Sequence, residues 1–239
     1  MNNNNKWTVD LDTARQLSIV SETHREHDFY ASCKPLYFLL LKEEINALKK
    51  QFPGVEFYPE SRLKSFKSCL NKKTTKSNAG KPTQIYDYLA VRYVIKSVNG
   101  STSKADIEAA CRSFTDFLTD SIPYSTVIHE RDKDYISNPK PNGYQCLHRT
   151  RIHTLPHATR FFSEIQVRGE DMVQEAAKHH LYKPVTPSRL VDDIPDIFAF
   201  TFNSDGFCTE IYSLPLEQAF EKYYKKPFDN SKDPSPTLT

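Results

Sequence analysis

The stretch "YDYLAVRYVIKSVNGSTSKADIEAACRSFTDFLTDSIPYSTVIHE", residues 86–130, decides the fold class. Residues 86–95 are dense in Val, Ile and Tyr, the composition of a strand. Residues 104–121 follow an amphipathic helical pattern, and residues 124–130 return to strand composition. Strand, helix and strand in succession imply at least one parallel or crossover pairing. Working outward, residues 11–50 read as two helices, the second with Leu40, Leu41, Ile45 and Leu48 at helical spacing and Pro53-Gly54 at its end. A short strand follows, then a helix over about 61–73 and a polar loop over 74–84. On the other side, strands are expected at 144–153 and 159–168, a helix at 169–183, and a hairpin over 196–214 turning at Asp205-Gly206. The expected fold is α/β (α+β): a mixed β-sheet of four to six strands flanked by helices. It forms a single domain over 11–215, with a flexible start at 1–10 and a short helix and disordered tail at 216–239.

Composition narrows the function. The 239 residues are 38% hydrophobic and 26% charged, with a net charge of +2, so no global field argues for DNA or an anionic membrane. Five scattered cysteines without a CxxC argue against a disulfide framework or zinc knuckle and for a reducing, intracellular compartment. The first residues lack the apolar run of a signal peptide, and "PLYFLLL" is too short to span a bilayer.

Four clusters carry chemistry. Arg62, Lys64, Ser65, Lys67, Ser68, Lys72 and Lys73 crowd one predicted helix, with positions 64, 68 and 72 on one face. That face is suited to phosphates, although a solvated basic face has the same composition. Asp87 begins an otherwise apolar strand, a common place for a magnesium ligand, with Arg92 on the opposite face by strand parity. "KDYISNPKPNGYQCLHRT", residues 133–150, joins a turn bearing Lys140 and Asn142 to a strand on which Tyr144, Cys146 and His148 share a face. In "SEIQVR", Glu164, Gln166 and Arg168 face one way and Ile165 and Val167 the other. The Gly80-Lys81 pair is not a P-loop, because Thr75 stands where the first glycine is required. Together the clusters supply cations for phosphates, two carboxylates for a divalent metal and an aromatic for a base, the needs of phosphoryl or pyrophosphoryl transfer.

In the family's own order, "RLKSFKSCLNK", "DYLAVRYV", "KDYISNPKPNGYQCLH" and "EIQVRGEDMVQEAAKHHLYK" resemble the synthetase motifs of the RelA/SpoT family, over roughly residues 40–183. The resemblance implies a nucleotidyltransferase-like synthetase fold and transfer of the β,γ-pyrophosphate of ATP to the 3′-hydroxyl of GDP or GTP. It implies that Arg62 and Arg92 sandwich the adenine and that Lys64, Ser68 and Lys72 hold the ATP phosphates. Asp87 and Glu164 would bind Mg2+, with Glu164 also a candidate to activate the 3′-hydroxyl. Tyr144 would stack on the acceptor base, Lys140 and His148 would hold acceptor phosphates, and Asn142, Gln166 and Arg168 would complete that side. The sequence departs from the pattern at Ala90, a change that would tighten the adenine site, and at Cys146, Arg149 and Gly169, and the departures bear on acceptor choice more than on donor use. An adenine nucleotide or a tRNA 3′ end therefore stays open as acceptor, as does a nucleotide- or RNA-binding module without activity. Small members of this family form oligomers, which extends to this chain as an expectation. His27-Asp28 reads as a surface pair on a helix, and the 196–214 hairpin faintly resembles the start of the family's regulatory TGS module.

Overall fold

In a computed structural model of the chain, residues 11–120, 125–154, 160–172 and 194–219 are described. The expected tail and most of the helix predicted over 169–183 lie outside them. The helices are α1 (Leu11–Ser32), α2 (Lys34–Gln51), α3 (Phe66–Asn78) and α4 (Lys104–Asp120). The strands are β1 (Val55–Leu63), β2 (Leu89–Val98), β3 (Ser125–Val127), β4 (Lys133–Asp134), β5 (Leu147–Thr154), β6 (Arg160–Gly169), β7 (Asp196–Phe202) and β8 (Cys208–Ser213). All eight join one sheet in the order β3–β5–β6–β2–β1–β7–β8, with β4 alongside β5. The mixed sheet flanked by helices is as expected, but it has more strands than the four to six predicted. The strand expected over 124–130 is present but short, as β3, whereas β4, two residues long, is too short to stand out by periodicity.

The parallel pairing exists, though not within the 86–130 unit. β2 runs parallel to β6, while β3 lies at the sheet edge, antiparallel to β5. β6 is thus inserted between β5 and β2. The hairpin β7–β8 turns at Gly206, whose φ of 79° is the left-handed conformation that glycine adopts at no steric cost. β7 pairs with β1, so the hairpin extends the same sheet and is not the start of a separate module.

The predicted helix over 61–73 is displaced: α3 runs from Phe66 to Asn78. Pairing with β2 keeps the chain extended through Leu63, and Lys64 N–H still donates to the Tyr88 carbonyl at 2.7 Å. Ser65 then caps the helix, its Oγ accepting from Ser68 N–H. At the far end Arg15 of α1 donates to the Ser77 carbonyl at 2.8 Å and to its Oγ at 2.6 Å, holding residues predicted as loop in the last helical turn. Pro59 is tolerated inside β1 because β7 reaches only Ser61–Leu63, which leaves one side of the strand unpaired at the proline.

α2 and α4 cover one face of the sheet. Tyr37, Leu41, Ile45 and Leu48 of α2, and Ile107, Cys111, Phe114 and Leu118 of α4, are buried in the core; Leu40 is only half-buried. This core also encloses charge. Glu44 of α2 pairs with Arg151 of β5 at 2.5 Å and accepts from the Tyr93 hydroxyl, with both charged side chains almost wholly buried. The pair ties α2 to the middle of the sheet, and the opposite face is left to polar side chains.

Candidate functional site

That polar face is assembled by register. Antiparallel β1–β2 pairing sets Glu60 opposite Arg92 and Arg62 opposite Ala90. Parallel β2–β6 pairing sets Arg92 beside Gln166 and Ala90 beside Glu164. On the other flank of β6, His148 of β5 stands opposite Gln166 and Thr150 opposite Glu164. The side-chain period of two then puts Glu60, Arg62, Arg92, His148, Glu164, Gln166 and Arg168 on one face, while Ile165 and Val167 are buried on the other. Arg62 and Arg92 are diagonal neighbours, the spacing at which long side chains meet.

A continuous hydrogen-bonded chain crosses these strands. Arg92 NH1 donates to Glu60 Oε2 at 3.0 Å and its Nε donates to Gln166 Oε1 at 2.9 Å. Gln166 Nε2 donates to Glu164 Oε2 at 2.6 Å. His148 Nδ1 meets Glu164 Oε1 at 3.3 Å, and its Nε2 lies 2.8 Å from the Tyr144 hydroxyl. Burial disfavours a charged His148, but hydrogen bonding to Cys146 and Glu164 outweighs it and pushes its pKa up to about 9. Burial likewise opposes ionisation of Glu164, yet its bond to His148 and the histidine's charge hold its carboxyl below the ordinary range. Arg168 is buried in this surface with its Nε unpartnered among the described residues; burial, then the charge of Arg92, lowers its pKa.

Asp87 sits at the mouth of this face. It precedes β2 rather than starting it, and bends at Tyr86 and Tyr88 release it from strand parity, so the opposite-face expectation does not apply. Lys64 Nζ reaches Asp87 Oδ2 at 2.5 Å and Lys72 Nζ reaches Oδ1 at 2.7 Å. Burial would raise the Asp87 pKa, but the two lysines hold it well below the usual carboxylate range. Lys64 precedes α3 and Lys72 lies within it, so the two converge through the Ser65 cap rather than by stacking on one helix face. Ser68 is engaged in that cap, its Oγ 2.9 Å from Ser65 Oγ. Arg62 lies on β1, not on the helix, and no hydrogen bond or ion pair ties it down among the described residues. Lys73 turns away from this site, fully buried against Glu26 at 3.0 Å and Glu22 at 3.3 Å of α1.

The turn before β5 presents the remaining residues. Gly143 takes a φ of 74° and its N–H donates to the Lys140 carbonyl at 2.8 Å, while Lys140 N–H donates back to the Tyr144 carbonyl at 3.1 Å. Asn142 Oδ1 accepts from Tyr144 N–H at 3.3 Å. Lys140 Nζ consequently lies 4.4 Å from the Tyr135 ring centre and 4.8 Å from that of Tyr144. The strand begins only at Leu147, so Tyr144 is a loop residue, placed by this turn and by its bond to His148. Cys146 is fully buried, its Sγ 3.4 Å from the Val167 carbonyl.

Sequence reasoning missed Glu60, which anchors the chain through Arg92; its alternation with Arg62 along β1 was a readable signal. It also missed His27, which is not a surface residue. His27 is half-buried, and its Nε2–H donates to the Lys64 carbonyl at 3.0 Å. The residues fit a magnesium ion in donor chemistry: Asp87 and Glu164 are two ionised oxygen donors whose charges act on each other. No group of three or more His, Cys, Asp or Glu that could hold a metal occurs among the described residues. Such a pair suits magnesium, which takes one or two carboxylates and completes its shell with phosphates and water.

The family described as "Region found in RelA / SpoT proteins" matches residues 61–186, more than half of the chain. A probable chloroplastic GTP diphosphokinase of Arabidopsis thaliana is 32% identical over 159 residues, covering 63% of this chain and 26% of that protein. A guanosine-3′,5′-bis(diphosphate) 3′-pyrophosphohydrolase of Borreliella burgdorferi is 33% identical over 137 residues, covering 56% of this chain and 18% of that protein. The chain thus spans about a quarter or less of these curated relatives. The crystal structure of small alarmone synthetase 1 from Bacillus subtilis, bound to its product pppGpp, shares the fold with a TM-score of 0.50 and 20% identity, over 67% of this chain and 80% of that one.

Proposed function

The chain belongs to the RelA/SpoT family, and we propose that it is a pyrophosphokinase transferring the β,γ-pyrophosphate of ATP to the 3′-hydroxyl of GDP or GTP. The observation that carries this reading is the juxtaposition of two unlike half-sites. On one side, Lys64 and Lys72 close on Asp87, with Ser68 in the adjoining helix cap and Arg62 and Arg92 on the neighbouring strands β1 and β2. On the other, Lys140, Asn142, Tyr144, His148 and Arg168 gather cations around an aromatic ring. Glu164 and Gln166 on β6 lie between them. Two polyanionic nucleotides repel each other, and local cations on both sides are what bring them together.

Donor and acceptor then have distinct holders. Arg62 and Arg92, diagonal on the sheet, flank the adenine by guanidinium stacking. Lys64 and Lys72 hold the donor phosphates, and the ring of Tyr144, backed by Lys140, takes the acceptor base. Asp87 and Glu164 would hold a magnesium ion, which supplies charge neutralisation at the phosphates. Lys64 and Lys72 each hold one oxygen of Asp87, which keeps both ammonium groups gathered where the donor phosphates would lie. Glu164, fixed through both oxygens by Gln166 and His148, orients the 3′-hydroxyl and takes its proton. Most of the acceleration then comes from holding the nucleophile in line with the β-phosphorus.

Incubation of the protein with magnesium, γ-labelled ATP and each of GDP, GTP, ADP, ATP and tRNA tests the proposal. Label at the 3′ position of GDP or GTP is expected. Label on an adenine nucleotide or a tRNA end would move the acceptor assignment, and no labelled product with any acceptor would overturn the transferase reading.

A further inference from the structure

The half-site around Asp87 has a backing that the 61–186 family region does not include. Three residues of α1 reach the three pieces of chain that carry the Lys64–Asp87–Lys72 triad. His27 Nε2–H donates to the carbonyl of Lys64 itself at 3.0 Å. Glu26 Oε2 accepts from the hydroxyl of Tyr88, the residue after Asp87, at 2.6 Å. The same oxygen pairs with Lys73, the residue after Lys72, at 3.0 Å. Tyr30 stacks on Tyr88 with ring centres 4.3 Å apart. Its hydroxyl accepts from the N–H of Phe162, two residues before Glu164, at 3.2 Å. Each contact falls on the triad's backbone or on a neighbour of a site residue, and none uses a side chain that faces the substrates. His24 on Phe66, with ring centres 3.9 Å apart, and Arg15 on Ser77 fasten the same helix along α3.

We propose that α1 positions the phosphate-holding triad, with Glu26, His27 and Tyr30 as positioning residues for Lys64, Asp87 and Lys72. The proposal rests on reading that triad as the donor-phosphate site. Lys64 and Lys72 belong to different segments, a loop and a helix, and meet only at Asp87. β1–β2 pairing ends at Leu63↔Leu89, so the sheet beyond it fixes neither Lys64 nor Asp87. Besides the bond between Lys64 N–H and the Tyr88 carbonyl, the Ser65 cap and the ring of Tyr86 against Phe162, α1 supplies the contacts that reach all three segments at once. A packing helix without this role would show its contacts spread over apolar core residues; α1 instead spends a histidine, a carboxylate and a phenol on this junction.

The test uses the full chain and the variants His27→Leu, His27→Gln, Glu26→Gln and Tyr30→Phe, with Asp87→Asn as reference. The first readout needs no activity: the rates at which Lys64 and Lys72 are acylated by a water-soluble succinimidyl ester, mapped by mass spectrometry without nucleotide. Ion pairing to Asp87 shields these amines. His27→Leu and Glu26→Gln are expected to raise both rates several-fold toward those of Asp87→Asn. His27→Gln, whose amide can still donate to the Lys64 carbonyl, is expected to stay near wild type. The second readout is steady-state pyrophosphate transfer. Loss of an orienting partner of this kind lowers kcat about 10-fold or more, with the acceptor KM unchanged. Thermal denaturation checks folding, and Tyr30→Phe, which keeps the stacked ring and loses only the bond to Phe162, serves if a stronger variant unfolds. Variants that melt earlier yet leave both lysines as shielded as in wild type would overturn the proposal and reduce α1 to packing. If the wild-type chain transfers no pyrophosphate, the functional reading fails while the labelling rates still decide the positioning claim.

Discussion

Replacing His148 by Gln should change how the stability of the protein depends on pH, and the size of that change follows from its surroundings. His148 has a side chain only 13% exposed and lies between the Glu164 carboxylate at 3.3 Å and the Tyr144 hydroxyl at 2.8 Å. Its pKa is about 9 in the folded protein, against an ordinary value of 6.5. The folded state therefore holds the proton more tightly than the unfolded chain, and the histidine stabilises the fold fully below about pH 6.5. As pH rises the unfolded chain loses this proton first, so the contribution declines from there and is gone once pH passes the folded value. The gap between the two values corresponds to about 3 kcal/mol. Urea denaturation of wild type and His148→Gln, carried out in steps from pH 6 to pH 10, measures it as a difference in which all other titrations cancel. Wild type should lose its advantage over the variant by about 3 kcal/mol across that interval. A difference that stayed flat with pH would refute the reasoning: it would mean that His148 is neutral throughout and bonds to Glu164 as an uncharged donor.

Asp87→Asn and Glu164→Gln should each fold, as checked by circular dichroism, and lower pyrophosphate transfer about 100-fold or more, equivalent to roughly 2.7 kcal/mol of barrier. Asp87→Asn should also raise the magnesium concentration needed for half-maximal rate, since an amide is a poorer ligand for a hard cation. Tyr144→Ala should raise the acceptor KM roughly 5- to 150-fold, the worth of one stacked base, and leave ATP binding by calorimetry nearly intact; Tyr144→Phe should keep most of the acceptor affinity. Glu44→Gln should destabilise the fold by about 3–5 kcal/mol in urea unfolding, because it leaves Arg151 charged and buried without its partner. Replacing Glu44 and Arg151 together by Leu should recover much of that loss.

The sheet-forming segments were legible because their signals are local. The run 86–95 is apolar nearly throughout, the alternation of "SEIQVR" survives intact in β6, and Asp205-Gly206 turns the hairpin where its chemistry requires. Boundaries were less legible where tertiary partners decide them. Nothing within residues 61–65 says that β1 continues to Leu63; the ladder with β2 does. Likewise the polar run 74–78 is helical because it continues a helix started at the Ser65 cap and is fastened at Ser77 by Arg15 of α1. The order of strands was hidden because β2 finds its parallel partner β6 only after β3, β4 and β5 have intervened in sequence. In the candidate site, the turn chemistry of residues 139–143 foretold that Lys140 and Tyr144 would meet. The role of α1 was invisible: His27 and Glu26 stand in an ordinary helical stretch, and their partners lie some forty to sixty residues away in sequence.

The insertion of β6 between β5 and β2 makes the distance between the half-sites a property of the backbone. His148, Gln166 and Arg92 lie side by side on consecutive strands. Adjacent strands are about 4.8 Å apart, so roughly 10 Å separates the acceptor flank from the donor flank. Interstrand hydrogen bonds set that gauge, and no exchange of side chains can stretch or shorten it. Substitution at the face can alter which molecule is gripped on either side, but the span between the two grips is inherited by any variant that keeps the sheet. The gauge has one mode of failure. A single residue added in β6 just before Glu164 would turn everything beyond it to the other face, carrying Glu164, Gln166 and Arg168 under α2 and α4 and delivering Ile165 and Val167 to the polar face.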